Sequence, residues 1–183
     1  MMPRALVVLV DGFEDVEAVT AIDILRRGGV EVVTAALGPK TAVRSAHGIL
    51  MRADALFADA EKESYDVVLL PGGPGTGGLK VPPVFERLRR QKAEGRLIAA
   101  ICAAPTVLVD AGVLDPGQHV TCYPTCSVDL DRPCANVPVV ADGGVITGQA
   151  PGAAMLFALV VLRALLGDVV AGKVARGLVT DVL

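Results

Sequence analysis

Short apolar runs recur along the chain, and most are followed by a turn and then a helical pattern. Arg4 to Val10, Val30 to Ala36, Asp66 to Leu70 and Leu97 to Ile101 have the length of buried strands. Between the first two, Phe13 to Arg27 sets Val16, Val19, Ile22 and Leu25 at helical spacing, and Gly28-Gly29 stops the helix as a left-handed cap would. Val84 to Glu94 is amphipathic and is introduced by Pro82-Pro83. Thr41 to Val43 and Ile49 to Arg52 read as a small hairpin, and Val137 to Ala141 with Val145 to Thr147 as another. An almost uniformly apolar helix is predicted from Gly152 to Leu166, and a last one from near Asp168. Strands alternating with helices at this spacing predict a mostly parallel α/β sheet covered on both faces, in one domain spanning residues 1–183.

Composition fits that architecture. Hydrophobic residues make up 52% and aromatic ones only 3%, so the core must be built from Val, Leu, Ile and Ala. The net charge is −3 with no basic run, which excludes a nucleic-acid footprint. Ala5 to Val10 is too short for a secretory signal core, and Asp11 ends it. Met155 to Leu166 is the most apolar later run, falls short of a bilayer span and contains Arg163. The expectation is a soluble cytoplasmic protein whose four cysteines (102, 122, 126 and 134) are free thiols.

The chemistry centres on LIAAICAAPTVL, Leu97 to Leu108. A buried strand runs straight into Cys102, and a helix is predicted behind it. Such an elbow lifts a nucleophile to the carboxyl edge of the sheet and points free backbone N–H groups at it, which favours the thiolate. Taken alone, the same residues also fit a small buried hydrophobe.

Three other stretches bear on the reading. In PGGPGTGG, Gly73, Gly75 and Gly78 match a dinucleotide fingerprint, but Pro82-Pro83 break the required helix and the loop sits mid-chain. Two readings remain: glycines needed for positive φ, or a backbone N–H facing the next strand's thiol. Glu14, Asp15 and Glu17 open the first helix. Acidic residues there usually complement the dipole in solvent, but Glu17, flanked by Val16 and Ala18, is a candidate for burial beside Cys102 as a protonated acid. His47 and His119 are the only histidines, neither flanks Cys102, and both are expected at the surface or an interface. Cys122, Cys126 and Cys134 match no common zinc spacing, so no metal site is expected. Tyr123 is either ordinary packing or a phenol lining the pocket.

The ordered set of RALVVLVDGFEDVEAV, DVVLLPGG, AAICAAP and GQAPGAA resembles the DJ-1/ThiJ/PfpI superfamily, most closely its DJ-1 branch, over the whole chain. The resemblance implies a flavodoxin-like α/β fold, commonly a homodimer, with Cys102 as the reactive cysteine and Glu17 as its acid partner. It implies that the amides of Gly73 and Ala103 form an oxyanion pocket, with Gly72, Glu14 and Pro151 nearby. Some branches hold a histidine after or beside the cysteine. Here Ala103 follows Cys102, and Tyr123 stands in VTCYP where eukaryotic relatives have histidine. A protease-like Cys-His triad is therefore not expected. What the resemblance implies for activity is cofactor-free chemistry on methylglyoxal, glyoxal or their adducts, as a glutathione-independent glyoxalase or a deglycase. The alternative it offers is a redox sensor or chaperone whose Cys102 oxidises to a sulfinate.

Overall fold

The computed structural model describes residues 2–181. Nine strands form: β1 (Arg4–Leu9), β2 (Glu31–Ala36), β3 (Ala42–Arg44), β4 (Leu50–Arg52), β5 (Ala55–Leu56), β6 (Val67–Leu70), β7 (Leu97–Ile101), β8 (Val139–Asp142) and β9 (Val145–Gly148). The helices are α1 (Asp15–Arg27), α2 (Phe57–Ala60), α3 (Pro82–Ala93), α4 (Pro105–Ala111) and α5 (Ala154–Gly177). Seven strands make the central sheet, in the order β5-β2-β1-β6-β7-β9-β8. Every pairing is parallel except the β8–β9 hairpin at one edge. Without the two edge strands β5 and β8, the chain order across the sheet is 2-1-3-4-5, the flavodoxin-like arrangement.

Alternation along β1 shows how both faces are covered. Ala5, Val7 and Leu9 join α1 and α5 in one core, with Phe157, Leu159 and Leu162. Leu6 and Val8 join α3 and α4 in the other, with Leu88, Val107 and Leu108. Successive strand residues point to opposite faces, so a parallel sheet sandwiched by helices needs apolar side chains at every position. This explains why the strands read as unbroken apolar runs.

Helix α1 departs from its expected stripe. Ile22 and Leu25 are buried, but Val16 and Val19 are about half exposed, at 50% and 49%. The buried face instead carries Glu17, Ala18, Ala21 and Ile24. Small residues there let α5 pack close. At the end of α1, a Cβ on Gly28 would lie 2.3 Å from Leu162 Cδ1.

The β3–β4 hairpin forms as expected. Gly167 (φ 81°, ψ 173°) breaks α5 between the two predicted helices. By length and composition alone the stretch Pro151–Gly177 would pass for a membrane-crossing helix, with an 18-residue window of mean hydropathy 2.2. Its first half packs against α1 and the sheet, and Gly167 interrupts it.

Candidate active site

The carboxyl ends of β1, β6 and β7 meet at one edge of the sheet. Cys102 follows β7 directly and adopts a left-handed φ of 66°. Among the described residues, Val179 is the only other non-glycine with positive φ. Such a conformation persists only where the surroundings hold it. Here two backbone bonds do so. The Cys102 N–H donates to Gly148 O at 2.9 Å, and the Cys102 carbonyl accepts from Tyr123 N–H at 2.8 Å. The elbow is thus tied to β9 on one side and to the irregular segment after residue 120 on the other. The thiol is buried, with Cys102 7% exposed.

Glu17 is fully buried in the first turn of α1. Glu14 is the cap of that helix, and its Oε2 accepts the Glu17 N–H at 2.8 Å. Glu17 Oε2 accepts the Gly72 N–H at 2.8 Å, while Oε1 has no hydrogen-bond partner. Burial pushes the Glu17 carboxyl up from 4.5 to about 7, against the pull of the Cys102 thiol and the Gly72 N–H. Because Oε2 is occupied by a donor, a proton on Glu17 goes to Oε1.

Burial also pushes the Cys102 thiol up, and an ionised Glu17 pushes it further. The N–H groups of Ala103 and Gly73 pull it down but do not prevail. This corrects the expectation that the elbow alone makes the thiol more acidic. Helix α4 is only seven residues long, and desolvation outweighs what its N-terminus offers. Negative charge at Cys102 is favoured only when Glu17 holds the proton and presents an O–H to the sulfur.

The glycine loop makes this geometry possible. A Cβ on Gly72 would sit 2.8 Å from Cys102 Cβ, 2.8 Å from Ile101 O and 2.9 Å from Ala103 N. Gly73 has φ 107°, and a Cβ there would lie 2.5 Å from Gly12 O. A Cβ on Gly75 would fall 2.0 Å from Asp11 O. The loop therefore meets the β1–α1 turn backbone to backbone, with Glu14 N–H donating to Gly72 O at 2.9 Å and Gly75 N–H to Gly12 O at 3.0 Å. The chain then enters a short 3-10 turn, Pro74–Leu79, and not the helix that a dinucleotide site needs.

The residues singled out from the sequence thus fall into distinct places. Gly73 and Ala103 turn N–H groups to the sulfur, whereas the Gly72 N–H is spent on Glu17. Glu14 lies one step back, as the cap. Tyr123 contributes its backbone to the elbow, and the residue is 41% exposed. Pro151 opens a 3-10 turn shortly after Gly148. The side chains of His47 and His119 are 72% and 78% exposed, and each binds an aspartate, Asp15 at 2.9 Å and Asp142 at 3.2 Å.

One cluster escaped the sequence reading. Glu14, Asp15 and His47 bring ligand atoms within 4.8 Å of one another, a spacing compatible with a metal ion. Both carboxylates already have protein donors: Glu14 caps α1, and Asp15 accepts from Ser45 and His47. No signal in the sequence joins residues 14–15 to residues 45–47. Cavity size does not find the Cys102 site either. A cleft of about 440 Å³ lies between Arg27, Gly28, Lys173 and Val174, and one of about 390 Å³ lined by Pro3, Asp66, Gly95 and Leu97 opens at the opposite edge, where the strands begin.

The family description DJ-1/PfpI family matches residues 3–164. The chain belongs to the DJ-1/PfpI family. It is 39% identical to protein dj-1beta of Drosophila melanogaster, covering 97% of each chain. It is 35% identical to a Caenorhabditis elegans relative named glutathione-independent glyoxalase DJR-1.2, covering 84% of this chain and 83% of that one. Among solved structures, oxidized DJ-1 of Toxoplasma gondii superposes with a TM-score of 0.93 at 34% identity, over 98% of this chain and 99% of the other.

Proposed function

We propose that this protein is a cofactor-free enzyme of carbonyl defence that converts methylglyoxal or glyoxal to the corresponding hydroxy acid, with Cys102 as nucleophile and Glu17 as acid–base. The observation that carries the reading is the buried Glu17, its Oε2 held by Gly72 and its Oε1 free, beside a thiol faced by the N–H groups of Gly73 and Ala103. Cys102 sulfur adds to the aldehyde carbon, its proton passes to the new alkoxide, and a hemithioacetal forms. The two N–H groups stabilise the oxyanion during that addition. The Glu17 carboxylate then takes the proton from the former aldehyde carbon to give an enediolate and returns it to the neighbouring carbon, while the hydroxyl proton moves to that carbon's oxygen, leaving a thioester. Water cleaves the thioester, releasing the hydroxy acid and the free thiol. A carboxyl group poised near 7 suits both halves of that transfer. Hydrolysis of glycated adducts would use the same thiol and oxyanion site.

A second reading rests on the same N–H groups and on the free Oε1. Together they can hold the oxygens of a Cys102 sulfinate, so that the site senses peroxide without turnover. The two readings part in one experiment. Methylglyoxal consumption and lactate release are followed for the wild type, Cys102→Ala and Glu17→Gln. Catalysis requires turnover in the wild type, none in Cys102→Ala, and a loss of about 100-fold or more in Glu17→Gln. An inert wild type whose Cys102 oxidises selectively supports the sensor.

A homodimer in the cytoplasm completes the reading. Val16 and Val19 on the outer face of α1, with Ile49 and Leu50 of the β3–β4 hairpin, give a second copy an apolar surface to cover. Light scattering would test it.

A further inference from the structure

The segment after residue 120 carries thiols that the Cys102 site does not use. Cys122 Sγ and Cys134 Sγ lie 3.5 Å apart although twelve positions separate them in sequence. The backbone brings them together. Val120 and Cys134 form an isolated parallel bridge. Ala135 N–H donates to Val120 O at 2.8 Å, and Thr121 Oγ1 donates to Val137 O at 2.9 Å. Thr121 N–H in turn donates to Thr147 Oγ1 on β9 at 2.9 Å, which fixes the pair to the sheet. A disulfide bond measures about 2.05 Å, so the sulfurs need to approach by about 1.5 Å.

We propose that Cys122 and Cys134 form a reversible dithiol–disulfide site, separate from Cys102, that peroxide oxidises. Cys134 is half-buried and Cys122 fully buried, so Cys134 meets the oxidant first. Burial, and then the hydrogen bond with Cys134, push the Cys122 thiol up, which makes it the slower of the two to attack peroxide. In the first step the Cys134 sulfur attacks one peroxide oxygen. An S–O bond forms, the O–O bond breaks, and one water leaves after protonation. In the second step Cys122 sulfur displaces the hydroxyl of the sulfenic acid. The S–S bond forms, the S–O bond breaks, and a second water leaves. Two thiols lose two protons and two electrons, and the peroxide is reduced to two waters. The ring so closed contains Tyr123, whose N–H holds the Cys102 carbonyl, and the 3-10 turn Pro124–Asp129.

The test is peptide mapping of the full chain after hydrogen peroxide treatment. Excess peroxide is removed with catalase, and free thiols are alkylated in denaturant before digestion without reductant. Trypsin is unsuitable because Arg132 precedes Pro133, which leaves all four cysteines in one peptide. Cleavage before aspartate separates them, at Asp110, Asp115, Asp129, Asp131 and Asp142. The expected product joins peptide 115–128 to peptide 131–141, and dithiothreitol releases it. The link persists in Cys126→Ser and in Cys102→Ala and disappears in Cys122→Ser. The proposal is overturned if the link is lost in Cys126→Ser or depends on Cys102. It is equally overturned if Cys122 and Cys134 are recovered unlinked, as alkylated thiols or separate sulfinates, once Cys102 is fully oxidised.

Discussion

Replacing Glu17 by glutamine removes a buried group that ionises at different pH in the folded and unfolded chain, and the effect on stability has a definite sign. In the unfolded chain the carboxyl ionises near 4.5, and in the folded protein near 7. Below pH 4.5 it is protonated in both states and contributes nothing to the pH dependence. Between 4.5 and about 7 only the unfolded chain releases the proton, so the folded state loses stability as pH rises. Above about 7 both states are ionised and the loss levels off. At about 1.36 kcal/mol per pH unit, the gap from 4.5 to about 7 corresponds to roughly 3 kcal/mol. Urea unfolding of the wild type and Glu17→Gln, run from pH 4 to pH 8, measures it. The glutamine variant gains on the wild type by roughly 3 kcal/mol across that window, whatever constant offset the substitution adds. In Cys102→Ala the thiol no longer pulls the carboxyl down, so its folded value rises and the loss of stability extends to higher pH at the same slope. Parallel curves for wild type and Glu17→Gln would refute the buried, protonated acid and the acid–base role built on it.

Three further outcomes are expected. Iodoacetamide alkylation of Cys102 rises to a plateau near pH 7 in the wild type, because the pair releases its first proton there; in Glu17→Gln, where an amide is a weaker donor to the thiolate, it is slower at pH 6 and continues to climb. Gly72→Ala costs about 1–3 kcal/mol in urea unfolding, since its Cβ meets Ile101 O and Ala103 N, which are backbone atoms unable to rotate away. Glu14→Ala removes the cap of α1 and costs about 0.5–2 kcal/mol, read as a lowered Tm, with the Cys102 alkylation profile keeping its shape.

The architecture was legible where side chains report on burial. Unbroken apolar runs such as Ala5 to Leu9 and Val67 to Leu70 can only be strands covered on both faces, and they are. The elbow at Cys102 and the acid at Glu17 could be read because each departs from its apolar surroundings. The inner face of α1 could not be read from hydrophobicity, because it is written in alanines and a glutamate while Val16 and Val19 face outward. The acidity of the thiol was misjudged for a similar reason. A helix start is visible in sequence, but the desolvation that opposes it depends on everything packed around the sulfur. The contacts of His47 with Asp15 and of Cys122 with Cys134 arise from irregular chain, where no periodicity relates the partners.

The backbone-to-backbone seam between the glycine loop and the β1–α1 turn also sets what can be altered in this molecule. On that side the wall of the site is main chain, with no room for a Cβ at Gly72, Gly73 or Gly75. It cannot be reshaped one side chain at a time by an engineer or by drift, because the smallest addition displaces the scaffold itself. Side chains can be exchanged more freely on the other side of the elbow, at Tyr123, whose N–H holds the Cys102 carbonyl and whose side chain is exposed, and in the Pro124–Asp129 turn that follows. The elbow therefore has one side fixed as main chain and another where side chains can vary.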